Sequence, residues 1–256
     1  MITFEHVSVR YRDGTVAVND VNLAIPAGQF CVLLGSSGAG KTTLLKTVNG
    51  LTVPSAGAVR VGGVPVARPT LREVRRGVAM IHQQFNLVAR ATVERNVLAG
   101  GIAVQPAWRI WSGQHTAADR SRAAALCAQV GLQPVQFQRR AAELSGGQQQ
   151  RVGIARAFFL DVGVVLADEP VASLDPQTSR EVMTVLRAAA RARGCTVVCS
   201  LHQLDLAREF ADRIVGMRAG RVCWDVPADG LSERRLTELY GQPEPVKPAE
   251  PAEVPA

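Results

Sequence analysis

Eight residues near the N-terminus have the types and order that a phosphate-binding loop needs. Residues 35–42 run Gly-Ser-Ser-Gly-Ala-Gly-Lys-Thr and fit the pattern G-x-x-x-x-G-K-[ST]. Glycines let the backbone curl so that successive N–H groups point at phosphate oxygens, and the following helix directs its positive end at the same anion. Lys41 would then reach the β- and γ-phosphates, and the Thr42 hydroxyl would ligate Mg²⁺. The alternative is a chance match in a glycine-rich turn, but an apolar run precedes the motif and a helical pattern follows it.

Two acidic residues come directly after a second apolar run. Residues 164–167 are Val-Val-Leu-Ala, and Asp168 and Glu169 follow them. A buried strand has little reason to end in two carboxylates unless a cation or a protic group lies there. Beside a phosphate loop, Asp168 would hold Mg²⁺ through water and Glu169 would polarise the water that attacks the γ-phosphate. The alternative is that the strand simply emerges into solvent.

A third motif, Leu144-Ser145-Gly146-Gly147-Gln148, opens a helical pattern. A serine and two glycines at a helix N-terminus form a second anion site. One protein needs two such sites if each nucleotide is clasped from both sides. Here the sequence resembles the ABC ATPase family, whose signature is LSGGQ. In that family the signature of one subunit closes on the γ-phosphate of ATP held by the other, so the resemblance implies ATP, Mg²⁺ and a homodimer.

The resemblance covers about residues 2–241 and implies roles for further residues. Tyr11 lies where the family places an aromatic ring that stacks on adenine, although it is also compatible with an ordinary strand aromatic. Gln83 is similar to the glutamine that senses Mg²⁺ and the attacking water, with Gln84 as the competing assignment. His202 follows an apolar strand and resembles the histidine that contacts the γ-phosphate. His82 departs from the pattern, because the family more often has Phe there.

The predicted site therefore has five parts, most of them drawn from the family likeness, and the signature residues Leu144, Ser145, Gly146, Gly147 and Gln148 are one of them. Glu169, His202 and Gln83 form the catalytic set, and Thr42, Gln83 and Asp168 form the Mg²⁺ set. A segment resembling the family's D-loop, which crosses the dimer interface, comprises Ser173, Leu174 and Asp175. The nucleotide-binding residues are Tyr11, Gly35, Ser36, Ser37, Gly38, Ala39, Gly40, Lys41, Thr42 and Thr43.

The elements that must position these residues follow from hydrophobic patterning. Residues 1–34 alternate apolar and polar side chains, which predicts several β-strands, the last at Phe30–Leu34. After residue 150 helical and apolar strand patterns alternate, which is typical of a mostly parallel sheet covered by helices. Expected helices include Lys41–Asn49, Ala117–Val130, Gln148–Leu160 and Thr178–Ala192, and expected strands include Val78–Ile81, Val162–Ala167, Thr196–Leu201 and Ile214–Met217.

These patterns and the resemblance predict an α/β fold of the phosphate-loop NTPase (RecA-like) type. We expect a mostly parallel sheet, an N-terminal antiparallel β region and an inserted α-helical subdomain at about 84–150. Residues 1–241 would form a single nucleotide-binding domain. Residues 242–256 are rich in Pro, Ala and Glu, which predicts a disordered tail.

Composition limits the other classes of function. The chain has 256 residues, 47% of them hydrophobic, and a net charge of +7, which permits nucleic acid or an anionic surface as partner. Neither a secretory signal nor an apolar run of about 18–20 residues is present, so we expect a soluble protein that meets a membrane only through a partner. Five scattered cysteines are expected to be small buried hydrophobes in a reducing compartment.

Within the family, the sequence resembles the ATPases of phosphonate importers. The similarity lies in residues 85–88, 94–98, 106–111, 167–176, 200–207 and 238–241. It implies transmembrane permease subunits, a solute-binding protein and a peripheral place on the cytoplasmic face of the inner membrane. Phosphite, phosphate or another small solute is the alternative cargo. Trp108 and Trp111 are expected either to dock on the permease or to pack locally.

A different class of ABC-type ATPase acts on nucleic acid or ribosomes. Repair relatives carry a long coiled coil between the phosphate loop and the signature, whereas about a hundred residues without sustained heptads separate them here. Translation-type relatives carry two cassettes, and this chain has one. A GTPase is disfavoured because neither Lys46 nor Lys247 lies in an N-K-x-D element. No nucleic-acid partner is therefore expected.

Overall fold

Two β-sheets organise the fold, which we describe from a computed structural model that covers residues 1–103 and 113–241. The first sheet is antiparallel, with strand order β2-β1-β4-β5, and the second has six strands in the order β10-β9-β3-β8-β7-β6. The strands are β1 Ile2–Arg10, β2 Val16–Ile25, β3 Phe30–Leu34, β4 Ala56–Val61, β5 Val64–Pro65, β6 Val78–Ile81, β7 Val164–Asp168, β8 Thr196–Leu201, β9 Arg213–Arg218 and β10 Arg221–Pro227.

Helices cover the second sheet and enter it through short loops. They are α1 Lys41–Val48, α2 Leu71–Gly77, α3 Val93–Leu98, α4 Ala117–Gln129, α5 Gly146–Ala157, α6 Pro176–Arg191, α7 Leu204–Phe210 and α8 Glu233–Tyr240. Within the described residues, no helix is long and apolar enough to cross a membrane.

The centre of the second sheet is parallel. Strand β3 pairs with β8 and β9, and β7 pairs with β6 and β8, all in parallel, whereas β10 closes one edge antiparallel to β9. Parallel strands end at the same edge of a sheet, and ligands bind outside those carboxyl ends. The phosphate loop after β3, the two acids at the end of β7 and His202 after β8 therefore meet at one edge.

Two apolar cores flank the second sheet. Val32 and Leu34 of β3 face the core that contains α3, α4, α5 and α6, whereas Cys31 and Leu33 face the core shared with α1 and the antiparallel sheet. A strand buried on both faces must be apolar throughout, and all five residues of β3 are buried. The phosphate loop thus begins at the end of a strand that is buried throughout.

The observed architecture confirms the predicted α/β phosphate-loop fold, its parallel sheet and its N-terminal antiparallel region. Several element boundaries differ from the expectation by one to three residues, and one cysteine is exposed. Helix α5 begins at Gly146 and not at Gln148, because the Ser145 side chain caps it there. Cys223 is exposed, because on β10 it points away from the core, whereas the other four cysteines are buried as expected.

Helices α3 and α4 lie between the phosphate loop and the signature residues 144–148, and they pack on α5. Their apolar side chains belong to the same continuous core as one face of the second sheet. Whether residues 84–150 act as a subdomain stays a prediction. The tail 242–256, Trp108 and Trp111 lie outside the described residues.

Candidate active site

The phosphate loop needs glycine where its backbone passes close to neighbouring strands. A Cβ atom on Gly35 would collide with the carbonyl oxygen of Met217, and one on Gly40 would collide with that of Ala17. Gly40 also has φ 97°, in the left-handed region that favours glycine, and it immediately precedes α1. The loop therefore packs against β9 at its first glycine and against β2 at its last, and these two contacts fix its curvature.

Lys41 is the first residue of α1 and is 4% exposed. Its Nζ donates hydrogen bonds to the carbonyl oxygens of Gly35, at 2.7 Å, and Ser36, at 3.0 Å. Burial lowers the pKa of Lys41, while the nearby carboxylates of Glu169 and Asp168 oppose that shift. The ammonium is thus folded over the loop, at the place where an anion held by the loop would meet it.

Asp168 and Thr42 meet across the gap between β7 and α1. The Thr42 hydroxyl donates to Asp168 Oδ1 at 2.7 Å, and the Ser200 hydroxyl donates to the same oxygen at 3.0 Å. Ser200 Oγ also accepts a hydrogen bond from the main-chain N–H of Glu169, at 2.9 Å. Asp168 is only 7% exposed, so these bonds orient a carboxylate that burial alone would destabilise.

Glu169 leaves β7 in an unusual backbone conformation, with φ 46°. For a residue other than glycine this left-handed conformation is uncommon and is found most often at functional sites. It turns the side chain towards His202, whose Nε2 is hydrogen-bonded to Glu169 Oε1. A carboxylate and an imidazole in contact form a pair that is suited to orienting and deprotonating a water molecule.

Lys41, Thr42, Glu169 and His202 border one open cavity of about 500 Å³, within the range of cofactor-sized sites. Gln83 lines the cavity and Gln84 does not, which supports the choice between them made from the sequence. Tyr11 also lines it, with 44% of its surface exposed and its hydroxyl 3.1 Å from Thr43 Oγ1. Its exposed ring provides a flat apolar face at the rim, as a base-stacking residue requires.

The donor set fits Mg²⁺ bound together with phosphate. A threonine hydroxyl and an aspartate lie 2.7 Å apart, and Gln83 lines the same cavity. Mg²⁺ in phosphate-transfer sites takes one or two protein oxygens and completes its shell with water and phosphate. Among the described residues, no group of three or more His, Cys, Asp or Glu side chains could hold a metal ion.

The signature residues 144–148 are not among the residues that line this cavity. Ser145 is exposed, and its side chain caps α5 by accepting a hydrogen bond from the N–H of Gln148. Leu174 packs against the helix start, since a Cβ atom on Gly146 would lie 3.1 Å from its Cδ2. Asp175 caps α6, and hydrogen bonds from Thr178 hold its pKa below the ordinary value. The exposed Ser145 and the helix N-terminus that it caps thus lie outside the cavity of their own phosphate loop.

Ser200 was missed by sequence analysis. It stands in β8, whose other residues gave only an apolar signal, and it is completely buried. The register of β7 and β8 pairs Asp168 with Ser200, so a polar residue on an apolar strand was the available signal. Its partner could be identified only once the strand order was known.

The family that the sequence matches agrees with a phosphate-loop site of this kind. Residues 18–172 match the family described as ABC transporter. The chain belongs to the ABC transporter family. It is an ATP-binding cassette, and its fold, its phosphate loop and its signature agree with that membership.

Curated relatives cover nearly the whole chain. A "Phosphonates import ATP-binding protein PhnC" of Hyphomonas neptunium is 50% identical over 237 residues, which is 91% of this chain and 91% of the relative. A protein with the same name from Hydrogenovibrio crunogenus is 48% identical, over 94% of this chain and 88% of the relative.

Two solved structures share the fold. A dimeric, post-hydrolysis structure of the ATP-binding cassette MJ0796, bound to ADP and Pi, has a TM-score of 0.78 and 30% sequence identity, covering 90% of this chain and 100% of that one. The cbiO1 protein of Clostridium perfringens, part of the ABC transporter complex cbiONQ, has a TM-score of 0.78 and 26% identity, over 93% and 92%.

Proposed function

We propose that this chain is the ATP-hydrolysing, energy-coupling subunit of an ABC importer and that a phosphonate is its solute. One observation carries the ATPase part: Lys41, Thr42 and the Glu169–His202 pair border a single cavity, and Asp168 is hydrogen-bonded to Thr42 at its edge. The solute is supported by the relatives named for phosphonate import, which are 50% and 48% identical over almost their full length. Nothing in this cavity contacts the solute itself.

The chemistry of hydrolysis follows from the residues around the cavity. The loop N–H groups and Lys41 hold the β- and γ-phosphates, and Tyr11 stacks on the base. Glu169 orients and deprotonates the attacking water, and His202 holds that carboxylate in place and faces the γ-phosphate. Thr42 and Asp168, the latter through water, would hold Mg²⁺ with Gln83 beside it, and the ion would supply positive charge to the phosphates.

The second half of each site comes from another copy of the chain. Ser145 is exposed and does not line the cavity of its own chain, so it and the N-terminus of α5 are available to an ATP molecule held by a partner. ATP bound between two copies holds them together, and loss of the γ-phosphate releases them. The cassette structure solved as a dimer with ADP and Pi, with a TM-score of 0.78, supports this arrangement.

We further propose permease subunits and a solute-binding protein as partners, with this subunit peripheral on the cytoplasmic face of the inner membrane. The closing and opening of the dimer would reach the permease through Gln83 and the helices of residues 84–150. Residues 1–241 would act as one nucleotide-binding domain throughout this cycle.

The ATPase part is tested with a matched pair of lysine variants. Lys41→Ala removes the ammonium that folds over the loop, so ATP binding should weaken at least about a hundredfold. Lys46→Ala removes the same charge near the end of α1 and should leave ATP affinity within about twofold. Equal ATP affinity for wild type and Lys41→Ala, measured by calorimetry, would refute the assignment of the loop.

The solute is tested by growth. A bacterium that lacks its own phosphonate importer receives the genes for this chain with its permease and binding protein, and phosphonate is the only phosphorus source. Growth with wild type but not with Lys41→Ala is the expected result. Growth on phosphite or phosphate alone would redirect the solute, and copurification of ribosomes or RNA in place of membrane protein would overturn the transporter assignment.

A further inference from the structure

Helix α5 carries a glutamine that is completely buried and without hydrogen bonds. Gln150 is 0% exposed, and neither its Nε2 nor its Oε1 has a partner among the described residues. A buried amide that makes no bond costs roughly 1–3 kcal/mol. A leucine would fill the same space without that penalty, so packing alone does not account for glutamine here.

The side chain borders the segment that connects Gln83 to the rest of the molecule. Gly146, Gln150 and Gly153 share one face of α5 at helical spacing. A Cβ atom on Gly146 would lie 3.8 Å from Phe85 Cζ, and one on Gly153 would lie 4.0 Å from both the Phe85 carbonyl oxygen and Gln150 Oε1. The amide of Gln150 and the carbonyl of Phe85 therefore border the same space beside Gly153.

That segment is held in a conformation it would not adopt unaided. Phe85 and Asn86 are consecutive residues with φ 52° and 47°, and neither is glycine. Arg156, also on α5, keeps them there. Its guanidinium donates to the carbonyl oxygens of Phe85, at 2.9 Å, and Asn86, at 2.5 Å. The two residues lie only two and three positions after Gln83, so any change in their conformation moves Gln83.

We propose that Gln150 is a positioning residue for Gln83. In the ATP-bound conformation its Nε2 donates to a main-chain carbonyl of residues 84–86, a bond that the conformation described above lacks. Helix α5, which Ser145 caps, would thereby set the position of Gln83 in the cavity. This inference rests on the proposed function, because it takes Gln83 to respond to ATP.

The first test is hydrogen exchange of residues 83–88 with and without a non-hydrolysable ATP analogue. In wild type the analogue should slow exchange in this segment, because a new bond fixes it. Gln150→Leu should fold at least as stably as wild type and still bind the analogue, yet show little slowing. Gln150→Met is a second variant in case leucine does not fit. If wild type binds the analogue and exchange over 83–88 does not change, the inference is wrong whatever the hydrolysis rate.

The second test is a double-mutant cycle on ATP turnover. Gln150→Leu should lower kcat about tenfold, the size of effect that one hydrogen bond can account for, and change KM less than twofold. In a Gln83→Ala background the same substitution should have no further effect on kcat. If Gln150→Leu lowered kcat equally in the wild-type and Gln83→Ala backgrounds, or left kcat unchanged in wild type, Gln150 would only pack or hold a buried water.

A control comes from Gln136, another buried glutamine, 6% exposed, whose Oε1 accepts a hydrogen bond from the N–H of Gln133 at 2.6 Å. Gln136→Leu should lower stability and leave kcat per folded molecule unchanged. If wild-type protein hydrolyses no ATP at all, the proposed function fails, and that outcome is distinct from an additive cycle in an active enzyme.

Discussion

Glu169 and His202 are in contact at the mouth of the cavity, and the left-handed backbone of Glu169 aims its carboxylate there. Glu169→Gln keeps the shape of the side chain and removes the base. We expect ATP binding to persist while kcat falls about 10²–10⁴-fold, leaving an ATP-bound dimer that opens slowly. Glu143→Gln, at an exposed residue paired with Arg139, is the control and should keep wild-type turnover. Normal hydrolysis by Glu169→Gln would exclude this carboxylate as the base.

His82 gives the protein a testable response to pH. Burial first, and then the charge of Arg156, lowers the pKa of His82 below 6.5. Below about pH 6.5, His82 therefore binds a proton in the unfolded chain. In the folded chain, His82 binds that proton only when the pH reaches its lowered pKa. Between these two pKa values the free energy of unfolding should fall as the pH is lowered, and His82→Gln should make that decrease smaller. Urea unfolding at pH 7.5 and 5.5 measures it, and an equal loss in both proteins would contradict the expectation.

At the residue scale, chemistry that depends on short spacing could be predicted from the sequence. Lys41 and Thr42 are adjacent, as are Asp168 and Glu169, and each pair carries its own pattern. Ser200 was not predicted, because its role depends on which strand lies beside β7. The site assignments themselves stay predictions, since geometry places the side chains together without measuring what they do.

At the element scale, the five parallel strands of the second sheet were predicted within two residues at either end, because buried parallel strands form short apolar runs bounded by polar residues. Strand β10 was not predicted, although Val222, Trp224 and Val226 alternate with polar or exposed residues. The order of the strands was beyond sequence reasoning, because it depends on contacts between distant parts of the chain.

Helix α5 allows its capping role to be separated from its role towards ATP. Ser145→Ala removes the cap and should lower the free energy of unfolding by about 1 kcal/mol. Ser145→Asp keeps a capping side chain and should preserve stability. Both variants should lose ATP turnover, the second because its charge repels a triphosphate. Stability is measured by urea unfolding and turnover by phosphate release.

The matched control is Thr116→Ala. Thr116 caps α4 with the same reciprocal bonds that Ser145 makes on α5. It should show the same loss of stability, about 1 kcal/mol, with turnover per folded molecule unchanged. If Ser145→Asp turned over ATP as fast as wild type, Ser145 would have no role beyond its cap.

At the scale of the whole molecule, one chain holds both halves of a nucleotide site but does not join them. The cavity is bordered by the phosphate loop, Gln83, Glu169 and His202, while Ser145 is exposed elsewhere. Two copies related by a two-fold axis would place each signature on the other's loop, giving two equivalent sites. Catalysis should take place only at these shared sites.

Mixing two inactive variants shows whether each catalytic site is shared between two chains. Lys41→Ala inactivates the phosphate loop and leaves the signature intact, whereas Ser145→Asp leaves the phosphate loop intact and inactivates the signature. In a mixed dimer one site has both intact halves and the other has neither, so an equal mixture should recover up to about a quarter of wild-type turnover. Each variant alone should be nearly inactive. A mixture no more active than its separate components would contradict a site shared between two chains.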